Sequence, residues 1–555
     1  LLSLLRVAAC GALVATVAGI ASPASASDRE YRLADREYRT AAGLTPLGTY
    51  STGIFDESAA EIVSYHAGSR RLFVVNAAQA KVEVLDAARP SAPAKLFDLT
   101  TVGVKAADGS TIPDGAVANS VDVRADGLGA VAIESATKTD PGWVVFFDAR
   151  GDGRALGAVR VGALPDMLTF TPKGDRLVVA NEGEPADDFS VDPEGSVAVI
   201  DVSRKVRAPG QKSVRTADFH RFERKVPAGV RVFGPTVNER FPVSANLEPE
   251  YVTVDKNGRT AYVALQEANA IAVVDLRSAR VTALNPLGAK DHSKPGNGID
   301  TSDRDDAIDI RQVPVYGLYM PDGIKSYTSR GRTYLVTANE GDAREWGDYA
   351  EPARVKDLGD DGLPPLCADV FDESVTEDED LGRLNVTTAN GLRADGSCFE
   401  RLYAFGGRSF SIWTTDGRQV FDSGDDFERI TAEANPEFFN SNHTESGFDG
   451  RSDDKGPEPE NLAIGEIDGR TYAFIGFERV GGVAMYDITD PKHARFAAYE
   501  NNRDFAESVE DGGDLVKAGD LGPEGLTFIP SKNGPMVAVA NEVSNTTTLF
   551  KVTTR

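Results

Sequence analysis

The sequence predicts an all-β fold, a seven-bladed β-propeller, from three observations: a short phrase that returns seven times, tight-turn residues inside most copies, and an apolar strand after each. Equivalent units of this kind stack into one core, because no single copy can bury its own apolar face. Five copies are strong: PDMLTFTPKGDRLVVANEGEP from Pro165, PEYVTVDKNGRTAYVALQEAN from Pro249, PDGIKSYTSRGRTYLVTANEGDA from Pro321, PENLAIGEIDGRTYAFIGFERV from Pro459 and PEGLTFIPSKNGPMVAVANEVSN from Pro523. Two weaker copies precede them, EIVSYHAGSRRLFVVNAAQ from Glu61 and SVDVRADGLGAVAIESA from Ser120.

Each unit reads as four strands. The first is the apolar run after Pro-Glu or Pro-Asp, and Lys-Gly-Asp at 173–175, Lys-Asn-Gly-Arg at 256–259 or Asp-Gly-Arg at 468–470 turns it into the second. The third strand follows as KVEVLDA, WVVFFDA, SVAVIDV, AIAVVDL, SFSIWTT, VAMYDIT and TTTLFKV, and a variable fourth comes next, such as AKLFDLT from Ala94. Four-stranded sheets repeated about an axis leave only short edges exposed. The last copy stops after its third strand at Val552, while TPLGTYSTGIF from Thr45 belongs to no complete unit, so the N-terminal strand is expected to close the ring. In the fifth copy the second strand ends at Ala338 and the next good strand, LYAFGGRSFSIW, begins at Leu402. Taken as the third strand of that blade it keeps seven blades; taken as a separate unit it makes eight.

Composition fits one large extracellular domain over residues 44–555: 54 Gly, 29 Pro and 8% aromatics among 555 residues, with no internal stretch apolar enough to span a membrane. Residues 1–26, LLSLLRVAACGALVATVAGIASPASA, read as a secretory signal cleaved after Ala26, with a membrane anchor as the alternative, and 27–43 as a linker. The expected location is secreted, and free secretion is favoured because the chain ends at Arg555 without a sorting motif. Cys10 falls in the signal, which leaves Cys367 and Cys398, both in the insertion 340–401 of blade five. In an oxidising compartment they are expected to pair rather than remain free thiols. Such a link supplies roughly 3–4 kcal/mol to a polar excursion expected to have little core of its own. The net charge of −27, from 86 acidic against 59 basic residues, disfavours nucleic acid and anionic bilayers and favours cations or basic partners.

Position says more than total charge. The first two strands of a blade are antiparallel, so the start of the first and the end of the second meet at one rim beside the channel. The acids opening first strands are Glu61, Asp166, Glu250, Asp322, Glu460 and Glu524, with Asn119 in the remaining blade, and the acids closing second strands are Glu182, Glu267, Glu340, Glu478 and Glu542. Two unit charges about 4 Å apart repel by roughly 4 kcal/mol at an effective dielectric of 20, so a bare ring must hold protons, arginines or metal. Hard carboxylate oxygens suit Ca²⁺ or Mg²⁺. The candidate metal ligands are Glu182, Glu250, Asp322, Glu340, Asp342, Glu460, Glu478, Glu524 and Glu542. Arg344, Arg408 and Arg479 lie in the loops concerned. The alternative is that each acid only accepts hydrogen bonds from its neighbouring blade.

Two loops add acidic density: Asp300, Asp303, Asp305, Asp306 and Asp309 in one, and Asp449, Asp453, Asp454, Glu458 and Glu460 in the other. Neither has EF-hand spacing. The second is the better metal candidate because it runs into the rim. No HExxH, GxSxG or Walker loop is present, the five histidines are scattered, and three tryptophans give little material for an organic cofactor.

The segments LVVANEGEP, YLVTANEGDAREW, LYAFGGRSFSIW, RSDDKGPEPENLAIGEIDGRTYAFIGFERVGGVAMYDI and GPEGLTFIP resemble the choice-of-anchor I family of secreted bacterial proteins, similar to animal mesenchyme-specific cell surface glycoproteins. The resemblance covers about Thr45 to Val552 and implies a propeller of the YVTN/WD40-like kind. About activity it implies little: members are secreted or surface proteins, some bearing an alkaline phosphatase label. Two readings follow. The favoured one is a non-catalytic, monomeric binding module whose acidic rim takes a divalent cation and which meets an extracellular protein, a glycan or a phosphorylated small molecule. The other is a Ca²⁺-dependent phosphoesterase in which metal on Glu182, Glu340, Asp342, Glu460 and Glu478 works with Arg344 or Arg479 on phosphate.

Overall fold

Alternation along the strands decides how the sheets stack. In the computed structural model, which describes residues 42–234, 242–531 and 534–554, the second sheet sends Val131, Ile133, Trp143, Val145 and Phe147 to one side, against Phe73, Val82 and Val84. Their sequence neighbours Ala130, Ala132, Val144 and Phe146 point the other way and pack on Leu168, Leu177, Val179 and Ala198 of the third sheet. Each sheet thus buries both faces, which is why the middle strands read as unbroken apolar runs.

There are seven such four-stranded sheets, all antiparallel, among the described residues. Their first strands pack on one another in chain order, from Val63–His66 through Val117–Val123, Pro165–Phe170, Val252–Val254, Ile324–Ser329 and Pro459–Ile467 to Pro523–Ile529, and Pro523–Ile529 in turn packs on Val63–His66. Asp468 and Gly469 have φ of 51° and 78°, as a two-residue hairpin that preserves strand twist requires. Gly43–Ser51 pairs along its length with Thr546–Thr553, from Gly43 opposite Thr553 to Ser51 opposite Thr546, so the first described strand completes the last sheet. It begins one residue before the expected domain start. The signal peptide expected at 1–26 and nearly all of the linker lie outside the described residues.

Two expectations for the fifth unit need correction. LYAFGGRSFSIW is not one strand: Leu402–Ala404 pairs in parallel with Val315–Leu318, and only Ser409–Thr414 joins the propeller-like sheet beside Arg332–Asn339. The break is a backbone contact, since a Cβ on Gly406 (φ +75°) would lie 1.9 Å from the Glu340 carbonyl oxygen. The insertion is also not a coreless excursion. Val355, Leu358, Leu381, Leu384, Val386 and Phe399 form a core with Ile299, Val313 and Val315 from the segment before the fifth sheet. Its sequence looked polar because these apolar residues are spaced widely and partnered from outside. Cys367 and Cys398 are disulfide-bonded within it.

Candidate functional site: an acidic channel mouth

The Asn-Glu that ends three of the second strands, at 181–182, 339–340 and 541–542, divides its labour. The asparagine is structural: Asn181 donates to Ser196 Oγ at 3.2 Å, Asn541 to Thr546 Oγ1 at 3.1 Å and Asn339 to Ser411 Oγ at 2.8 Å, all fully buried. Each pins the end of the second strand to the third. The chain then returns to the rim, where the Glu182 N–H meets the Leu164 carbonyl and the Glu542 N–H the Gly522 carbonyl, both at 2.8 Å. The following glutamate is thereby held beside the acid that opens the first strand.

The expected acids do converge. A cavity of about 570 Å³ at this end is lined by Glu61, Asp166, Glu182, Glu250, Glu267, Asp322 and Glu524. Across it, one carboxylate oxygen each of Glu340, Glu460 and Glu478 lie within 4.8 Å of one another, and His443, Glu478 and Glu542 form a second such group. Asp342 is at the outer lip, its side chain 53% exposed and 3.9 Å from the Lys455 ammonium. Asn119, the odd member, donates to the Pro165 carbonyl at 3.4 Å.

Charge compensation is uneven around the mouth. On one side Lys455 lies 2.8 Å from Glu340 and 3.0 Å from Glu458, Arg479 lies 3.1 Å from both Glu458 and Glu478, and Arg451 lies 2.6 Å from Glu458. On the other side Arg344 pairs with Glu248, and Lys138 with Glu184 at 3.2 Å. Among the buried carboxylate oxygens without a hydrogen-bond partner in the described residues are three that line the cavity, Glu250 Oε2, Glu267 Oε2 and Asp322 Oδ2, although these residues are only 6–7% exposed.

Proton affinity follows this division. Burial and the neighbouring Glu184 and Glu134 push Asp166 up to about 7. Burial and the surrounding acids push Glu182, Glu250, Glu267, Asp322, Glu460 and Glu524 well above the usual carboxylate range. Glu340 rises to about 7, burial outweighing Lys455, and burial with Glu478 lifts Glu542 to about 8. Glu458 goes the other way despite burial, held low by Lys455, Arg451 and Arg479.

Several expected site residues are elsewhere. Arg408 is buried away from the mouth, where it pairs with Glu428 and donates to the carbonyls of Asp300, Ser452 and Asp454. Asp453 pairs with Arg354 and Arg383 at 2.7 and 3.0 Å, Asp454 with Arg451 at 2.7 Å, and buried Asp449 accepts from Ser452. Of the loop expected to be the better metal candidate, Asp453 and Asp454 are held by arginines, Asp449 by Ser452 and Glu458 by Lys455, Arg451 and Arg479, so Glu460 is its member in the ring. In the first acidic loop Asp300 is buried and accepts from backbone N–H groups, and Asp303 pairs with Arg383 at 2.8 Å. Arg344 and Arg479 reach the mouth, but both guanidinium groups are engaged with carboxylates.

Sequence reasoning passed over Glu248 and Lys455, and it placed Glu458 only in an acidic loop. A signal existed: Glu-Pro-Glu occurs at 248–250 and again at 458–460. In both, the glutamate before proline anchors buried cations and the one after it joins the ring. Glu134, which closes the second strand of the second sheet, was obscured because it follows Ile133 in one of the weaker copies, with no asparagine before it.

A family model, the choice-of-anchor I domain, matches residues 61–491. The chain belongs to the choice-of-anchor I family. Over 280 residues it is 31% identical to the mesenchyme-specific cell surface glycoprotein of Strongylocentrotus purpuratus, which is 44% of this chain and 35% of that protein. Over 197 residues it is 32% identical to gigasin-3a of Magallana gigas, 32% of this chain and 67% of that one. The chain thus spans about a third of the length of the first relative. Among solved structures, a streptogramin B lyase is similar at 10% identity and a TM-score of 0.43, over 93% of this chain and 99% of that one. The family match ends at 491, and the remaining acids of the ring, Glu524 and Glu542, come from the last sheet beyond it.

Proposed function

We propose that this chain is a closed seven-bladed propeller acting outside the cell as a binding module whose acidic mouth holds a divalent cation. The observation that carries the reading is the convergence of Glu340, Glu460 and Glu478 from three strand ends to within 4.8 Å. Three hard oxygens at that spacing suit Ca²⁺, which takes further oxygens from water or neighbouring carboxylates. Asp322 shares a hydrogen bond with Glu460 and stands ready beside the group, with Glu524 and Glu542 flanking it. A cation there relieves repulsion that protons otherwise hold off. The chain's cell-surface relative supports an extracellular setting and a protein or glycan partner for the surface around the mouth. Among the described residues no helix is long and apolar enough to cross a membrane. The binding reading is preferred to phosphoester hydrolysis because Arg344 and Arg479 already hold Glu248, Glu458 and Glu478.

Calorimetric titration of the chelator-treated protein with Ca²⁺ tests this. Saturable binding, accompanied by a higher melting temperature and weakened in Glu460→Gln, is the expected outcome. An isotherm and melting curve indifferent to Ca²⁺ would show that the acids are structural only.

A further inference from the structure

The two halves of the mouth differ in more than charge. Ca²⁺ needs oxygens at about 2.3–2.6 Å from one point, so its ligands lie within about 5 Å of one another. Among the described residues, the two groups of three that meet this spacing contain Glu340, Glu460, Glu478, Glu542 and His443. Neither includes Glu250 or Glu267, whose unpartnered Oε2 atoms are both deeply buried. These carboxylates line the 570 Å³ cavity instead, together with the side chains of Met167, Tyr251 and Trp346. A cavity of this volume, its anions dispersed and its lining mostly polar with a few apolar side chains, is too open for a single metal ion.

Its chemistry suits ammonium groups carried on a hydrocarbon chain. The unpartnered Oε2 atoms belong to two separate side chains, and ammonium groups spaced along one hydrocarbon chain can meet such separate carboxylates singly. Methylenes between the ammonium groups would lie along Met167 and the aromatic walls. The protein already displays the recognition mode on the same wall. The Lys138 ammonium sits 3.7 Å from the Trp346 ring centroid and 3.2 Å from Glu184.

We infer that the half of the mouth bounded by Glu250, Glu267, Tyr251 and Trp346 binds a linear polyammonium ligand, either a free polyamine or a run of lysine side chains. The inference rests on the mouth being open to external cations, but not on the metal group opposite. Net charge attracts any polycation weakly, so the test must separate a built site from general attraction. The full chain, saturated with Ca²⁺, is titrated calorimetrically with spermidine and, separately, with a trilysine peptide at moderate ionic strength.

One saturable site is expected. The double variant Glu250→Gln/Glu267→Gln should weaken it by about tenfold or more, the loss expected from charge-assisted contacts, and Trp346→Ala should weaken it as well. A charge-matched surface variant, Asp306→Asn/Asp309→Asn, should leave it unchanged. Whichever probe binds more tightly identifies the source. No binding, or equal losses in the mouth and surface variants, would overturn the inference. Because Ca²⁺ binding is read in its own titration against Glu460→Gln, failure of either site is visible without the other.

Discussion

At the scale of the residue, the mouth depends on groups that hold charges rather than on the acids alone. Arg344 is 5% exposed and sits between Glu248 and the Glu351 side chain, which accepts from its backbone N–H. Arg344→Ala leaves Glu248 buried without a counter-charge and should lower unfolding free energy in urea by about 3–5 kcal/mol. Adding Glu248→Gln should return much of that loss, since the stranded charge is removed. Asn181→Ala should cost about 1–3 kcal/mol, because Ser196 and the Gly162 N–H lose a buried partner, without abolishing Ca²⁺ binding at the opposite wall. Most of the acids were legible because they directly follow proline or asparagine, and Glu61, Glu267 and Glu478 because they hold the same place relative to their strands. The partners of Glu248 and Lys455 were not, since Arg344 and Glu340 lie 96 and 115 residues away, and the repeated Glu-Pro-Glu marks Glu248 without saying what it pairs with.

At the scale of the element, strands were legible wherever apolar runs met turn residues, and the fifth unit was obscure where an insertion borrows its partners. Leu402–Ala404 looks like the start of a propeller strand but pairs in parallel with Val315–Leu318. Its apolar residues fit either sheet, and only the Gly406 contact with Glu340 decides between them. Because the core that the insertion forms with Ile299, Val313 and Val315 is separate from those between the four-stranded sheets, reduction of Cys367–Cys398 should act locally. Closing a loop of this length contributes about 3–4 kcal/mol. Under reductant, amide hydrogen exchange should rise across 355–400 while the strand Arg332–Asn339 keeps its protection. Simultaneous loss in both would mean that the insertion and its sheet unfold as one unit.

At the scale of the whole molecule, the ring makes stability depend on pH in a direction opposite to the usual acid denaturation. Carboxyls that titrate near 4 to 4.5 when unfolded are raised in the fold, Asp166 and Glu340 to about 7 and Glu542 to about 8. Between those limits the folded state binds more protons than the unfolded one, so the ring's contribution falls as pH rises from about 4.5 to 8. His292 acts oppositely: buried and lowered to about 3, it favours the fold above pH 6.5 and loses that contribution as pH falls. Urea unfolding with chelator should therefore show stability declining from pH 6.5 towards 8. Saturating Ca²⁺ should flatten the decline, since the metal takes the place of the protons; the same slope with and without metal would count against a cation in the ring. The pairing of Gly43–Ser51 with Thr546–Thr553 has a separate consequence, for the chain's biosynthesis. The sheet that joins them spans some five hundred residues of sequence and cannot assemble until the strand Thr546–Thr553 has left the ribosome. Closure of this sheet must thus wait for nearly all of the intervening chain, and a chain stalled short of Thr546–Thr553 would leave the edge of Met536–Asn541 exposed to aggregation.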